Sequence, residues 1–309
     1  MQHDLRTLGT KMRLADFDVA LVLSGGAALG AYQAGAYEAL HEAGLLPSHV
    51  AGTSIGAFNG TLIAGNRPED RVARLAQFWD AVAEPIGRGG YAFEHGPVRR
   101  VQARLASTRA RLLGRQHFHA PQLFEALAPV RAFRSPGLYD LRPAAETLCG
   151  LADLPGPGSA GPRLTLHAAE IGVARDRALL LRREHAVDAD LVRRRVAAML
   201  AITALRFDSR VLQLRPEHVL ASASLLPDYP PTEVDGRLLC DGGFSENLPL
   251  RAMLSRVPER ALLCVAVDLI PSVGEPRWSL DGMAERQMDL QFSSQTRRLI
   301  EAMVWREKS

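Results

Sequence analysis

The sequence predicts a layered α/β fold built on parallel strands. Three observations carry this. The first 65 residues run strand, glycine loop, helix, strand, sharp turn, helix, and a strand that returns beside its predecessor after a helix pairs with it in parallel. Short apolar runs rich in β-branched residues recur later, as in ALLCVAVDL, and such runs suit strands covered on both faces. With 309 residues, 47% of them hydrophobic, the chain has material for one large domain and its core.

In order along the chain, residues 18–24, DVALVLS, read as a buried strand. GGAALG follows, then a helical pattern over 31–43 that Gly44 ends. A second short strand, near 49–52, leads into Ser54 and a helix of small residues over 55–64. Residues 66–85 read as helix. The stretch 85–136 is rich in Gly, Pro, Arg and His and is expected to cover the sheet, not to join it. LPGPGSAGP, residues 154–162, is a loop. RLTLHAAEIG and ARDRALLLRRE read as two strands with a turn at 172–176, and residues 188–205 as a helix. RLLCDGG brings a strand to a turn, ALLCVAVDL is a further buried strand, and an amphipathic helix over 280–305 closes the chain. The expected layout is a lead-in over 1–17, a main domain over 18–270 with 85–136 as a covering insertion, and a C-terminal helical segment over 271–309.

Composition excludes several roles. A net charge of only +3 and the lack of any nucleic-acid motif argue against nucleic acid. Cys149, Cys240 and Cys264 have neither metal nor redox spacing, so reduced thiols are expected. The apolar run at 19–23 is too short for a leader or a span, and no uncharged run elsewhere reaches spanning length. The expected setting is cytoplasmic, with any membrane contact peripheral.

The chemistry concentrates in three stretches. VAGTSIGAFNG frames Ser54 with Gly52 and Gly56. A random chain of this length carries about 0.1 copies of Gly-x-Ser-x-Gly, so the bare pattern is weak evidence. Its place between a strand and a small-residue helix is the setting in which a strained turn exposes a nucleophilic serine, although a plain turn fits the spacing as well. The second stretch, SGGAALG, follows a strand and opens a helix. Gly25 and Gly26 let its backbone approach a substrate and donate amides to an oxyanion. A dinucleotide loop would need a glycine where Ala27 stands between Gly25 and Gly30.

A base for the serine is harder to find. The last histidine is His218, so no histidine follows in the order an α/β-hydrolase uses, and Asp190 with His218 stays formally open. In LLCDGGFSENLP, Asp241 stands just past an apolar strand with Gly242 and Gly243 behind it. It would reach Ser54 if its strand lay beside the one ending at Gly52. Partial burial would raise its pKa into a useful range. Turn capping, the usual task of Asp-Gly, fits it equally.

Together LSGGAALGAYQAG, GTSIGAFNG and ASASLLPDYPPTEVDGRLLCDGGFSENLP resemble the patatin-like phospholipase family, closely over 19–65 and 221–250. That resemblance implies a largely parallel sheet with helices on both faces. It implies a serine acyl hydrolase that cleaves fatty-acyl esters of phospholipids or related lipids through a Ser–Asp dyad and an acyl-enzyme, with no metal or cofactor. It places the nucleophile on Ser54, the base on Asp241 and the oxyanion amides on Gly25, Gly26 and Ala27, with Gly30, Gly52, Gly56, Gly242 and Gly243 as supporting motif positions. Two departures stand out. Leu29 occupies a place where the family often has Lys or Arg, and Ala27 one where many relatives have a third glycine. A thioesterase or acyltransferase using the same dyad, or an idle lipid- or protein-binding scaffold, are the alternatives.

Residues 99–115 contain six arginines and no acid. Helical spacing groups Arg100, Arg104, Arg111 and Arg115 beside an apolar face, which suits either a solvated surface helix or contact with anionic membrane. His117 and His119 stand two apart without an acid or cysteine to complete a metal set. Trp278 and Trp305 read as packing residues.

Overall fold

The computed structural model describes residues 17–83, 114–115, 117–122, 137–171, 204–254, 260–274 and 280–307. Its strands are β1 (Phe17–Leu23), β2 (His49–Thr53), β3 (Ala120–Pro121), β4 (Tyr139–Asp140), β5 (Arg163–Glu170), β6 (Ala204–Asp208), β7 (Thr232–Val234), β8 (Arg237–Asp241) and β9 (Ala261–Val267). Its helices are α1 (Gly30–Glu42), α2 (Ile55–Ala64), α3 (Arg71–Val82), α4 (Arg142–Cys149), α5 (Pro216–Ala223), α6 (Arg251–Leu254) and α7 (Leu280–Glu307).

One mixed sheet organises the described residues. β9, β1, β2 and β5 run parallel in that spatial order. β6 and β8 pair antiparallel with β5, and β7 pairs antiparallel with β8. β1 lies between two partners and buries Val19 to Leu23 continuously, as a strand covered on both faces must. Alternate residues serve opposite faces. Leu21 and Leu23 join Tyr37 of α1, Phe58 of α2, Phe78 of α3, Leu148 of α4 and Val219 of α5 in the larger core. Ala20 and Val22 join Leu248, Leu250 and Met253 on the other face, with Leu299 of α7 packed against them. Helices therefore cover both faces, as expected for this fold class.

The register around β5 decides where the site forms. Thr165 pairs with Ala51 of β2 on one edge and Asp208 of β6 on the other. Ala168 pairs with Leu205 of β6 and with Asp241 of β8. A strand has only two edges, so β8 shares the β2 edge of β5. β2 ends with Thr53 opposite His167, and β8, arriving from the opposite direction, ends with Asp241 opposite Ala168. The two strands meet tip to tip along one edge. The side-by-side placement under which Asp241 would reach Ser54 is not the one found, because β8 occupies only the part of the edge that β2 leaves vacant.

Local chemistry explains the first helices. α2 is buried at every one of its ten positions, and Gly60 lets it press close to the sheet: a Cβ there would lie 3.1 Å from Leu164. α3 buries Arg71, Leu75, Phe78 and Val82, one helical stripe. It starts at Arg71, not 66, because residues 67–70 form a separate turn closed by Asp70 N–H donating to the Arg67 carbonyl at 3.0 Å. α1 ends at a left-handed Gly44 (φ +70°), whose successor Leu45 donates back to the Leu40 carbonyl at 2.8 Å.

Some expectations need correction. Ala204 and Leu205, expected to end a helix, belong to strand β6, where pairing with β5 overrides helical propensity. α4, α5 and β7 were not anticipated; the two helices have eight residues each and the strand three, too short for a clear periodic signal. The strand expected at 174–184, the rest of the 188–205 helix, Asp190, residues 99–113 of the arginine-rich stretch, the lead-in over 1–16 and Trp278 all lie outside the described residues. Of the expected covering insertion, only residues 114–115 and 117–122 are described.

Glycine packing separates two substitutions. A Cβ on Gly52 would run into the Gly56 carbonyl group, whereas a Cβ on Gly35, exposed on α1, would meet nothing within 4 Å. We expect Gly52→Ala to cost at least about 2 kcal/mol. Gly35→Ala should stabilise by about 0.5–1 kcal/mol through helix propensity. Urea unfolding of both variants checks this, and equal effects would contradict the packing described.

Candidate active site

Ser54 sits between β2 and α2 with φ +56° and ψ −123°, a conformation that costs a non-glycine residue about 1–3 kcal/mol. Close approach of Gly52 to Gly56, and of Gly56 to the Leu23 carbonyl, leaves no room for side chains and forces the tight turn. A serine preceding a helix normally bonds its hydroxyl to the first turn. Ser54 makes no such bond. Its N–H is held instead by the carbonyl and hydroxyl oxygens of Ser222, each at 3.1 Å.

The side chain thus freed meets Asp241, which is buried at 2% exposure. Burial pushes the Asp241 carboxyl up from its ordinary 3.8 to about 6, against the lowering effect of hydrogen bonds from the Ser54 hydroxyl and the Gly243 N–H. The Gly243 N–H lies 2.7 Å from Asp241 Oδ1. The Asp241 N–H donates to the Ser224 carbonyl at 3.0 Å, so residues 222 and 224 hold the backbones of both Ser54 and Asp241. Gly242 is required because a Cβ there would strike the His167 carbonyl of β5.

The glycine loop faces this pair. A buried amide network pins it from below: Trp79 Nε1 donates to Asn59 Oδ1 at 3.0 Å, and Asn59 Nδ2 donates to Gln33 Oε1 and to the Gly30 carbonyl, both at 2.9 Å. Gln33 Nε2 in turn donates to the Ser24 carbonyl at 2.8 Å. Gly25 was expected to offer its amide to an oxyanion, but its N–H is spent on the Asn247 carbonyl at 3.1 Å. The sequence needs glycine there for another reason. A Cβ would lie 2.6 Å from Asn247 Oδ1 and 3.1 Å from Ser54 Cβ. The N–H groups of Gly26 and Ala27 find no acceptor among the described residues, and Ala27 adopts φ +48°.

Ser54, Asp241, Asn247 and residues 25–27 open onto a cavity of about 770 Å³. Its walls are mostly apolar and include Leu29, Phe58, Phe118, Leu269, Met288 and Phe292. Leu29, half exposed at 54%, adds an apolar side chain to this lining. Among the described residues no histidine lines the cavity. His218 stacks on Phe207 at 4.3 Å and accepts from the Arg215 N–H, so it is committed elsewhere. His167 is buried without a partner for either ring nitrogen, and burial, with Arg206 adding, pushes it down to about 3. His117 is exposed, and His119 packs among Tyr139 and Tyr229. Among the described residues no three His, Cys, Asp or Glu side chains cluster as a metal site would need.

The sequence matches the Patatin-like phospholipase family over residues 21–254. The chain belongs to that family. Within this patatin-like chain, local stretches also match known relatives. Patatin-like phospholipase domain-containing protein 6 of Homo sapiens is 43% identical over 72 residues, 22% of this chain and 5% of that protein. Lysophospholipase nte1 of Aspergillus terreus is 54% identical over 52 residues, 17% of this chain and 3% of that protein. The matched stretches are thus a small fraction of those longer relatives. Among solved structures, VipD from Legionella pneumophila aligns with 81% of this chain and 49% of its own, at 14% identity and a TM-score of 0.39. No described helix of the patatin-like chain is long and apolar enough to cross a membrane.

Sequence reading missed the residues that brace the site: Ser222, Ser224, Asn247 and Gln295. The first three stand inside quoted motifs, yet nothing in their spacing marks their backbone contacts. Gln295 lies on α7, which shares no motif with the rest.

The raised pKa carries a stability consequence. The folded chain prefers Asp241 protonated, so folding loses about 3 kcal/mol as pH climbs from about 4 to about 6 and the buried carboxyl ionises. Asp241→Asn escapes that loss. We expect the variant to melt above wild type at pH 8 and to lose most of that advantage at pH 4.5. Identical melting differences at the two pH values, read by differential scanning calorimetry, would count against a carboxyl titrating near 6.

Proposed function

We propose that this patatin-like chain is a serine acyl hydrolase acting on fatty-acyl esters of phospholipids or lysophospholipids. One observation supports this most: a serine on a strained turn shares a hydrogen bond with a buried carboxyl whose pKa stands near 6, at the floor of a large apolar cavity. The family and the names of the relatives point to the same substrate class.

In the proposed reaction Asp241 accepts the Ser54 proton as Oγ attacks the ester carbonyl. The N–H groups of Gly26 and Ala27 receive the developing oxyanion. Collapse of the tetrahedral intermediate expels the alcohol, which takes the proton from Asp241. Water, giving its proton to Asp241, then attacks the acyl-enzyme; the second tetrahedral intermediate collapses, Ser54 Oγ leaves and takes the proton back from Asp241, and the fatty acid is released. The cavity walls hold the acyl chain by apolar contact. Residues 18–270 form the catalytic domain in this reading; Phe118, from the stretch expected to cover the sheet, lines the cavity.

Hydrolysis of lysophosphatidylcholine, followed by fatty-acid release, tests the proposal. Ser54→Ala should abolish turnover and Asp241→Asn should cut kcat by about 10³-fold or more. Because the base works only when ionised, kcat/KM should rise about tenfold per pH unit below about 6 and level off above it. A fluorophosphonate probe should label Ser54 in wild type and far more slowly in Asp241→Asn. Full turnover by Asp241→Asn would sink the dyad.

A further inference from the structure

α7 lies wholly beyond the residues that match the family, yet it reaches the centre of the site. Met288, Asp289 and Phe292 line the cavity. One turn further, Gln295 bridges the two halves of the machinery. Its Nε2 donates to the Gly243 carbonyl at 3.0 Å, and its Oε1 accepts the Asn247 N–H at 3.1 Å. Gly243 is the residue whose N–H holds the Asp241 carboxyl, and Asn247 is the residue whose carbonyl holds the Gly25 N–H. Asn247 Nδ2 also reaches the Gly25 carbonyl, at 3.4 Å. A continuous series of contacts therefore runs from Asp241 through Gly243, Gln295 and Asn247 to the glycine loop. The side-chain amide is matched to this task. It presents a donor to a carbonyl and an acceptor to an amide, and no other orientation satisfies both.

From this bridge we infer that Gln295 is a positioning residue for the reaction, setting the Asp241 turn and the Gly25–Gly26 loop in register with each other. It touches neither substrate nor the reacting atoms. It acts through Gly243 and Asn247, and it makes the C-terminal helix a working part of the site. The inference rests on the proposed roles of Ser54 and Asp241. Misplacing a catalytic group by about 1 Å costs on the order of 100-fold, so the bridge bears on turnover more than on substrate binding.

The test uses the full chain and p-nitrophenyl butyrate, a short ester that leaves most of the cavity wall untouched. We expect Gln295→Ala to lower kcat by about 10- to 100-fold with KM within about twofold of wild type. Gln295→Glu, nearly the same shape, keeps the acceptor but loses the donor to Gly243, so it should also lose kcat while melting near wild type. Combining Gln295→Ala with Asp241→Asn should be no slower than Asp241→Asn alone, because the bridge works through that base. A Gln295→Glu variant with kcat within about twofold of wild type would overturn the inference, as would losses that multiply in the double variant. Ser54→Ala separates the two levels. If it hydrolyses the ester as fast as wild type, the dyad and the inference fall together. If it is dead while the Gln295 variants are fully active, only the inference falls.

Discussion

One edge of β5 holds the site together. Because β2 runs parallel to β5 and β8 runs against it, their C-terminal ends face each other between His167 and Ala168. Ser54 leaves one tip and Asp241 is the last residue of the other. Strand residues advance about 3.3 Å each, so a slip of one position in either strand would separate the hydroxyl from the carboxyl by more than a hydrogen bond spans. A wholly parallel sheet would put both ends side by side across the sheet instead. In this chain it is the mixed sheet that brings the pair together.

Around that junction the chain tolerates unfavourable local states. Ser54 and Ala27 hold positive φ angles, and Asp241 is buried with no cationic partner among its interactions. Each is opposed by well-packed surroundings. α2 is buried throughout, glycines at 52, 56 and 242 allow backbone-to-backbone approach, and the Trp79–Asn59–Gln33 network satisfies its amides beneath the glycine loop. A buried polar network of this kind fixes a loop only when its members are paired, as these are. Desolvation of the carboxyl destabilises the fold at neutral pH and, in the proposed reaction, is also what lets it act as a base.

The braces come from parts of the chain far apart in sequence. Ser222 and Ser224, at the end of α5, hold the backbones of Ser54 and Asp241. Asn247 occupies the Gly25 amide and so moves the free donors to Gly26 and Ala27. Gln295 joins the Asp241 turn to Asn247 from the last helix. Three separate segments therefore meet within hydrogen-bonding distance of residues that the motifs mark.

By itself the sequence determined the first strand–loop–helix units, the strands β1, β5, β8 and β9, and the long final helix; the burial expected of β9 does not hold, because it ends the order of strands among the described residues and buries only Val267. Their signals are local: apolar runs, glycine punctuation and helical spacing. It marked Ser54, Asp241 and the glycine loop as chemically notable for the same reason, since strained turns demand glycine at fixed offsets. Only the tertiary structure decided the rest. The short elements α4, α5, β6 and β7 carry too little periodicity to read, and β6 takes its form from its partner β5. The meeting of β2 with β8, the occupied Gly25 amide and the reach of Gln295 depend on register and on contacts spanning up to 222 residues. Such contacts leave no trace in local spacing, because a backbone amide or carbonyl is available at nearly every residue and only the fold selects which ones meet.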